Sequence, residues 1–221
     1  MTVEENYIKL RSVVPEEVTI VCVSKTKPVE DVQKVYDVGA RDFGENKVQE
    51  LVAKYEVLPK DIKWHLIGHL QRNKVKYIVG KVELIHSLDS IRLLEEIEKQ
   101  YAKENKIAKV LIQINIGKEE SKTGIYLEDL DSLIEAVGKV SHVKVEGLMA
   151  TIPKGDEISC KAYFKEMKRI FDDLSVKNLK NINMKILSIG MSSDYNYALE
   201  EGSTMVRLGS SIFGKRDYSK I

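Results

Sequence analysis

The sequence predicts a (β/α)8 barrel, and three observations predict it. Short apolar runs alternate with stretches of helical spacing, and eight strand candidates are each followed by a helix or helical turn. Such alternation implies a parallel sheet with right-handed crossovers, and eight units in 221 residues fit the small end of the barrel range. The rival open, doubly wound sheet should carry a Gly-x-Gly-x-x-Gly turn after an early strand. Here the first strand ends in Ser24-Lys25-Thr26, without a glycine.

Met1 to Val13 reads as an extra helix before the barrel. Val18 to Val23 is an apolar, β-branched run, followed by Val29, Val32 and Val35 at helical spacing. Arg41 to Gly44 is a short strand, then Val48, Leu51, Val52 and Tyr55 share a helix face. Ile62 to Ile67 and Val82 to Ser87 are further strands, with a helical stretch around Val75 and Ile78 between them. Ser90 to Glu104 is a helix, with Ile91, Leu94, Ile97 and Tyr101 on one side. Lys109 to Asn115 is a buried strand, and Leu127, Leu130, Ile134 and Val137 form the next stripe. Val143 to Met149 is a strand, and Tyr163, Met167, Ile170, Phe171 and Leu174 make the largest stripe. Lys185 to Ile189 and Thr204 to Leu208 close the series, with a short helix over Tyr195 to Glu200 between them. No linker or low-complexity segment interrupts residues 1–221, which read as one domain.

Composition narrows the function. Lys and Arg number 35 against 34 acidic residues, net +1, so no global field favours nucleic acid or anionic membranes. No apolar run approaches the roughly 18 residues of a membrane span, and the polar N-terminus lacks the pattern of a secretion signal. Cys22 and Cys160 are too few for a disulfide framework or a cysteine-rich metal site, which points to the cytoplasm with both thiols reduced.

Barrel proteins build their sites at the C-terminal ends of the strands. Strand one ends in Lys25, on the face of Val21 and Val23, either as an amine able to form an imine or as a lysine reaching solvent. Lys27, before Pro28, reads as a surface residue. Strand seven ends in Gly190-Met191-Ser192-Ser193-Asp194 and strand eight in Arg207-Leu208-Gly209-Ser210-Ser211. Glycines for close approach, hydroxyl donors and free N–H groups after strands seven and eight are what a phosphate site needs, and helix capping without a ligand is the alternative. Arg207 must be hydrogen-bonded if buried, facing a ligand or a structural carboxylate. His65 and His69 are four apart on a strand and loop, which makes no metal pair, so no metal is expected. His65 reads equally as a pocket-lining or a core histidine. The loop from Gly117 to Gly124 reads as a solvated loop, with a mobile flap as the alternative.

These strand ends carry a resemblance. Val23-Ser24-Lys25-Thr26-Lys27-Pro28, Phe43-Gly44-Glu45-Asn46, Trp64-His65-Leu66-Ile67-Gly68, Leu111 to Asn115, Gly147-Leu148-Met149, Gly190-Met191-Ser192, and Ser203 through Arg207 to Phe213-Gly214, with Arg216-Asp217-Tyr218, resemble the pyridoxal phosphate homeostasis protein family, also called the PROSC or YggS family. The resemblance covers nearly the whole chain. His69 and Arg72 depart from the more usual residues at the pocket rim.

The resemblance implies a single TIM barrel like the N-terminal domain of alanine racemase, with pyridoxal 5′-phosphate held as a Schiff base on Lys25. It implies a phosphate near Ser192 or Ser193, Gly209 and Ser210, Arg207 facing the pyridine nitrogen, and Asn46, His65 and Met149 near the cofactor. Relatives that racemise amino acids add a second domain supplying a tyrosine base. The chain ends soon after its eighth strand, so that domain is expected to be absent. The resemblance then implies a cofactor carrier in vitamin B6 and amino/keto acid homeostasis rather than an enzyme, with a weak amino-acid racemase as the alternative. A barrel for some other phosphate compound is a third reading. Cofactor-requiring apo-enzymes are the expected acceptors, and a monomer is expected because nothing calls for a partner copy.

Overall fold

In the computed structural model, which describes residues 1–214, eight parallel strands close into a barrel in sequence order. They are β1 Thr19–Val23, β2 Asp42–Glu45, β3 Lys63–Leu66, β4 Leu84–Leu88, β5 Ala108–Gln113, β6 Val143–Met149, β7 Ile182–Met191 and β8 Met205–Leu208. The helices are α1 Val3–Val13, α2 Val29–Asp37, α3 Val48–Val57, α4 Ile91–Lys103, α5 Leu130–Val137, α6 Glu157–Ser175, α7 Tyr195–Glu200 and α8 Ser210–Phe213. The β3–β4 crossover is a 3-10 helix, Arg72–Tyr77, held by buried Val75 and Ile78. Arg216, Asp217 and Tyr218 lie outside the described residues.

Most strands begin within two residues of the apolar runs that predict them. The exception is β7, which starts three residues before Lys185, because Ile182 to Ile186 alternates in burial and presents no continuous apolar run. The extra helix is α1. Thr2 caps it in a reciprocal box with Glu5. Its Tyr7 and Leu10 are buried, and Asn6 Nδ2 donates to Ile212 O at 2.9 Å, which ties α1 to α8.

Strand side chains alternate, so each strand divides between two interiors. Outward-facing Cys22, Phe43, Trp64, Leu66 and Val110 meet the helices, where Phe164, Leu51, Leu94 and Ile97 are also fully buried. Each such Leu, Ile or Phe contributes about 1.5–3 kcal/mol. A smaller apolar layer fills the barrel: Val21, Leu84, Leu111, Met149 and Met205, with Ile186 against it. At Gly147 the register of β6 shifts against β7, with φ at +152°, and a Cβ there would lie 1.8 Å from the Ile186 carbonyl oxygen. Only glycine allows that approach.

Candidate cofactor site

A cavity of about 490 Å³ opens at the C-terminal ends of the strands. It is lined by Lys25 and Lys27 after β1, Asn46 after β2, Thr151 and Lys154 after β6, Met191, Ser192 and Ser193 at the end of β7, and Arg207, Gly209 and Ser210 at the end of β8. Lys25, Asn46, Ser192, Ser193, Arg207, Gly209 and Ser210 thus come together from strand ends far apart in sequence.

The exit of β1 is clamped from behind. Ser24 is fully buried, and its hydroxyl donates to Glu45 Oε1 at 2.6 Å. Buried Lys54 donates to the Ser24 carbonyl and to Glu45 Oε1, both at 2.7 Å, and to Glu50 Oε1 at 3.2 Å. Glu50 also accepts the Thr26 N–H at 2.5 Å, and Thr26 holds a left-handed φ of +65°. Burial raises the Glu45 pKa above the ordinary carboxylate value, and the Lys54 charge opposes the rise. This cluster fixes the backbone on both sides of Lys25.

On the adjoining wall, where β8 pairs with β1, Ser192 Oγ accepts the N–H of Gly209 at 3.1 Å and that of Ser211 at 3.2 Å. Two backbone donors from the β8 exit therefore converge on one oxygen, as a phosphate oxygen would require. Asp194 holds the β7 turn by accepting the Met191 N–H at 2.7 Å. Asn46 is placed by Gly68: a Cβ there would lie 2.4 Å from the Asn46 carbonyl oxygen.

Arg207 is 5% exposed and forms the floor. Its Nη1 donates to Ser188 O and Oγ at 2.6 and 2.7 Å, and its Nη2 to Ala150 O at 2.8 Å. Burial pushes its pKa down to about 10, and Asp194 opposes the shift, so the guanidinium is charged at neutral pH.

Two residues that the resemblance places near the cofactor do not line this cavity. His65 is in register with Val23 through Gly44, yet the shear of the barrel carries that row toward the N-terminal end as it passes from strand to strand. His65 therefore opens on a recess at the opposite end, beside Asp42, Glu83 and Lys109. Met149 packs into the apolar layer with Val21, Leu84, Leu111 and Met205, 1% exposed. Lys27, read as a surface residue, instead lines the cavity. The left-handed Thr26 turns the chain back, the Lys27 N–H bonds Ser24 O at 3.0 Å, and its Nζ donates to Phe213 O at 2.7 Å. Thr151 and Lys154 were missed, because the loop after β6 has no glycine–serine signature. His69 and Arg72 line a separate, open recess at the β3 and β4 exits, where His69 Nδ1 bonds Asp89 Oδ2 at 3.1 Å. The loop after β5 is held by Asn115 Nδ2, which donates to the carbonyls of Glu119 and Lys122. Among the described residues no cluster of three or more His, Cys, Asp or Glu could hold a metal ion, and no helix is long and apolar enough to cross a membrane.

A lysine and glycine–serine loops lining one cavity at the mouth of a closed parallel barrel, with a buried arginine among them, define an alanine racemase-like cofactor barrel. Residues 2–217 match the family described as alanine racemase, N-terminal domain. The chain is 46% identical over 198 residues to the pyridoxal phosphate homeostasis protein of Aquifex aeolicus, covering 88% of this chain and 86% of that one. Against the protein of the same name from Escherichia coli K12 it is 40% identical over 211 residues, 93% and 89% of the two chains. The chain belongs to the pyridoxal phosphate homeostasis protein family. The structure of PipY from Synechococcus elongatus with PLP bound superposes with a TM-score of 0.88 at 33% identity, over 96% of this chain and 100% of that one. An alanine racemase of Clostridium difficile shares the fold, with a TM-score of 0.77 at 15% identity, over 100% of this chain and 61% of that one.

Proposed function

We propose that this chain binds pyridoxal 5′-phosphate in the strand-end cavity, as a Schiff base on Lys25, and serves vitamin B6 and amino/keto acid homeostasis without robust turnover. The observation that carries the reading is the convergence of the Gly209 and Ser211 N–H groups on one oxygen at the exit of β8, the strand paired with β1, beside the cavity that Lys25 lines. Ser192, Ser193, Gly209 and Ser210 would hold the phosphate, and Asn46 would line the ring. Arg207 would face the pyridine nitrogen. When bound, the cofactor supplies an aldehyde for imine exchange with amines and an electron sink. Arg207 can only donate, so it disfavours protonation of the ring nitrogen and weakens that sink.

A racemase needs proton-transfer groups on both faces of the substrate carbon. Among the described residues lining the cavity there is no histidine, tyrosine, cysteine or carboxylate, and besides Lys25 the groups able to move a proton are Lys27 and Lys154. The chain is read as a cytoplasmic, monomeric carrier whose acceptors are apo-enzymes that need the cofactor. The test is incubation of the loaded protein with L-alanine in heavy water. Exchange of the α-hydrogen and formation of D-alanine should not exceed a free-cofactor control. Repeated turnovers abolished by Lys25→Ala would instead establish a racemase.

A further inference from the structure

Behind the cavity, the polar contacts of Arg207 continue through the barrel. Arg207 Nη1 donates to Ser188 Oγ at 2.7 Å. Ser188 Oγ lies 3.2 Å from His86 Nδ1, His86 Nε2 lies 2.9 Å from His65 Nδ1, and His65 Nε2 lies 3.0 Å from Asp42 Oδ1. Ser188 and His86 are fully buried and His65 is 2% exposed. Asp42 and His65 reach the recess at the N-terminal end of the barrel, which Lys63, Glu83, Lys109, Glu146 and Lys185 surround. A row of side chains from β8, β7, β4, β3 and β2 thus joins the cofactor end of the barrel to the other end. Barrel interiors are ordinarily filled by branched apolar side chains, and buried polar groups are costly unless hydrogen-bonded.

The ends of the row fix its direction. A guanidinium only donates, so Ser188 Oγ accepts from Arg207. The serine proton then points to His86 Nδ1, which puts the His86 proton on Nε2. That proton points to His65 Nδ1, which puts the His65 proton on Nε2, toward a carboxylate that only accepts. Every link is donated from Arg207 toward Asp42. Burial, with His65 and Arg207 adding, holds the His86 pKa well below the ordinary imidazole value. Because arginine does not release its proton, the row cannot conduct one, and its role is to hold polarity and orientation.

We propose that Asp42, His65, His86 and Ser188 are positioning residues that act on the cofactor cavity through Arg207. They keep its Nη1 turned inward, while Nη2 bonds Ala150 O at 2.8 Å, and so fix how the guanidinium sits at the cavity. The proposal rests on the reading that the cavity binds pyridoxal phosphate.

Two experiments test it separately from that reading. The first is ¹⁵N NMR of the imidazoles in the ligand-free protein at neutral pH, with the other two histidines, His69 and His142, assigned by substitution. His65 and His86 should both be neutral with the proton on Nε2. A proton on Nδ1 of either ring, or a cationic ring, overturns the proposal. The second is titration with pyridoxal phosphate, read by affinity and by the absorption maximum of the bound form. Ser188→Ala should weaken binding about tenfold, the effect of losing one hydrogen bond to a charged group. Asp42→Ala, which touches nothing in the cavity, should weaken it several-fold and shift the maximum in the same direction. Asp42→Asn keeps an acceptor oxygen and should stay near wild type. In the double variant Ser188→Ala/Asp42→Ala the loss should equal that of Ser188→Ala alone. Additive losses, or an Asp42→Ala loss with an unmoved spectrum, overturn the proposal. If Asp42→Ala does not fold, the NMR experiment and Ser188→Ala still decide. Absence of any binding by the wild type would sink the cofactor reading and leave the NMR result to judge the row.

Discussion

Replacing Lys54 with Met removes the cation that, among the described residues, faces Glu45, and leaves the stem volume nearly unchanged. In the native fold the ammonium bonds Ser24 O and Glu45 Oε1 at 2.7 Å and Glu50 Oε1 at 3.2 Å, and the Glu45 side chain is fully buried. Breaking a buried pair from one side costs about 3–5 kcal/mol. The cost has a ceiling, because Glu45 can take a proton. Neutralising a carboxyl of ordinary pKa 4.5 at pH 7 costs about 3.4 kcal/mol, at 1.36 kcal/mol per pH unit. The lost bonds to Ser24 and Glu50 bring the expected loss to about 4 kcal/mol. In the variant, Glu45 has a folded pKa above its unfolded one, so the folded state binds more protons at neutral pH. The deficit should therefore shrink as pH falls toward 4.5, and Glu45→Gln/Lys54→Met should recover part of it at pH 7. Urea unfolding at pH 7 and pH 5 measures both. A loss under about 1 kcal/mol at pH 7, or one equal at the two pH values, would refute the argument.

Ser210→Asp places a carboxylate where the β8 loop would meet a phosphate. Affinity for pyridoxal phosphate should fall at least tenfold while affinity for unphosphorylated pyridoxal changes little, by fluorescence titration; equal losses would mean that the loop acts on folding. His86, whose folded pKa is depressed by burial, makes stability fall as pH drops below the unfolded value near 6.5, because the unfolded chain takes the proton first. The loss between pH 7.5 and 5.5 should reach about 1.4 kcal/mol, and His86→Asn should flatten that part of the urea-stability profile.

The fold was legible because each crossover repeats one pattern, an apolar β-branched run followed by helical spacing. That Gly209-Ser210 and Ser192-Ser193 would share one cavity was legible because both sit at strand ends, which the barrel brings to one face. His65 was not. Alternation along β3 places it correctly inside the barrel, but height along the axis depends on the shear, which no local pattern encodes. Lys27 was misread because the turn that returns it to the cavity is made by Thr26, a β-branched residue in a left-handed conformation that favours glycine or asparagine. Lys54 lies at an ordinary helix position, and its burial follows only from where Glu45 ends β2.

Among the described residues three lysines line the cavity, Lys25, Lys27 and Lys154, and only one is assigned the imine. The decisive measurement is the absorption spectrum of the protein with pyridoxal phosphate before and after borohydride reduction, with peptide mass spectrometry of the reduced product. The account predicts a visible imine band, its loss on reduction, a phosphopyridoxyl mass on the peptide containing Lys25, and neither band nor adduct in Lys25→Ala. A full-yield adduct on Lys27 or Lys154, or one that persists in Lys25→Ala, would contradict it.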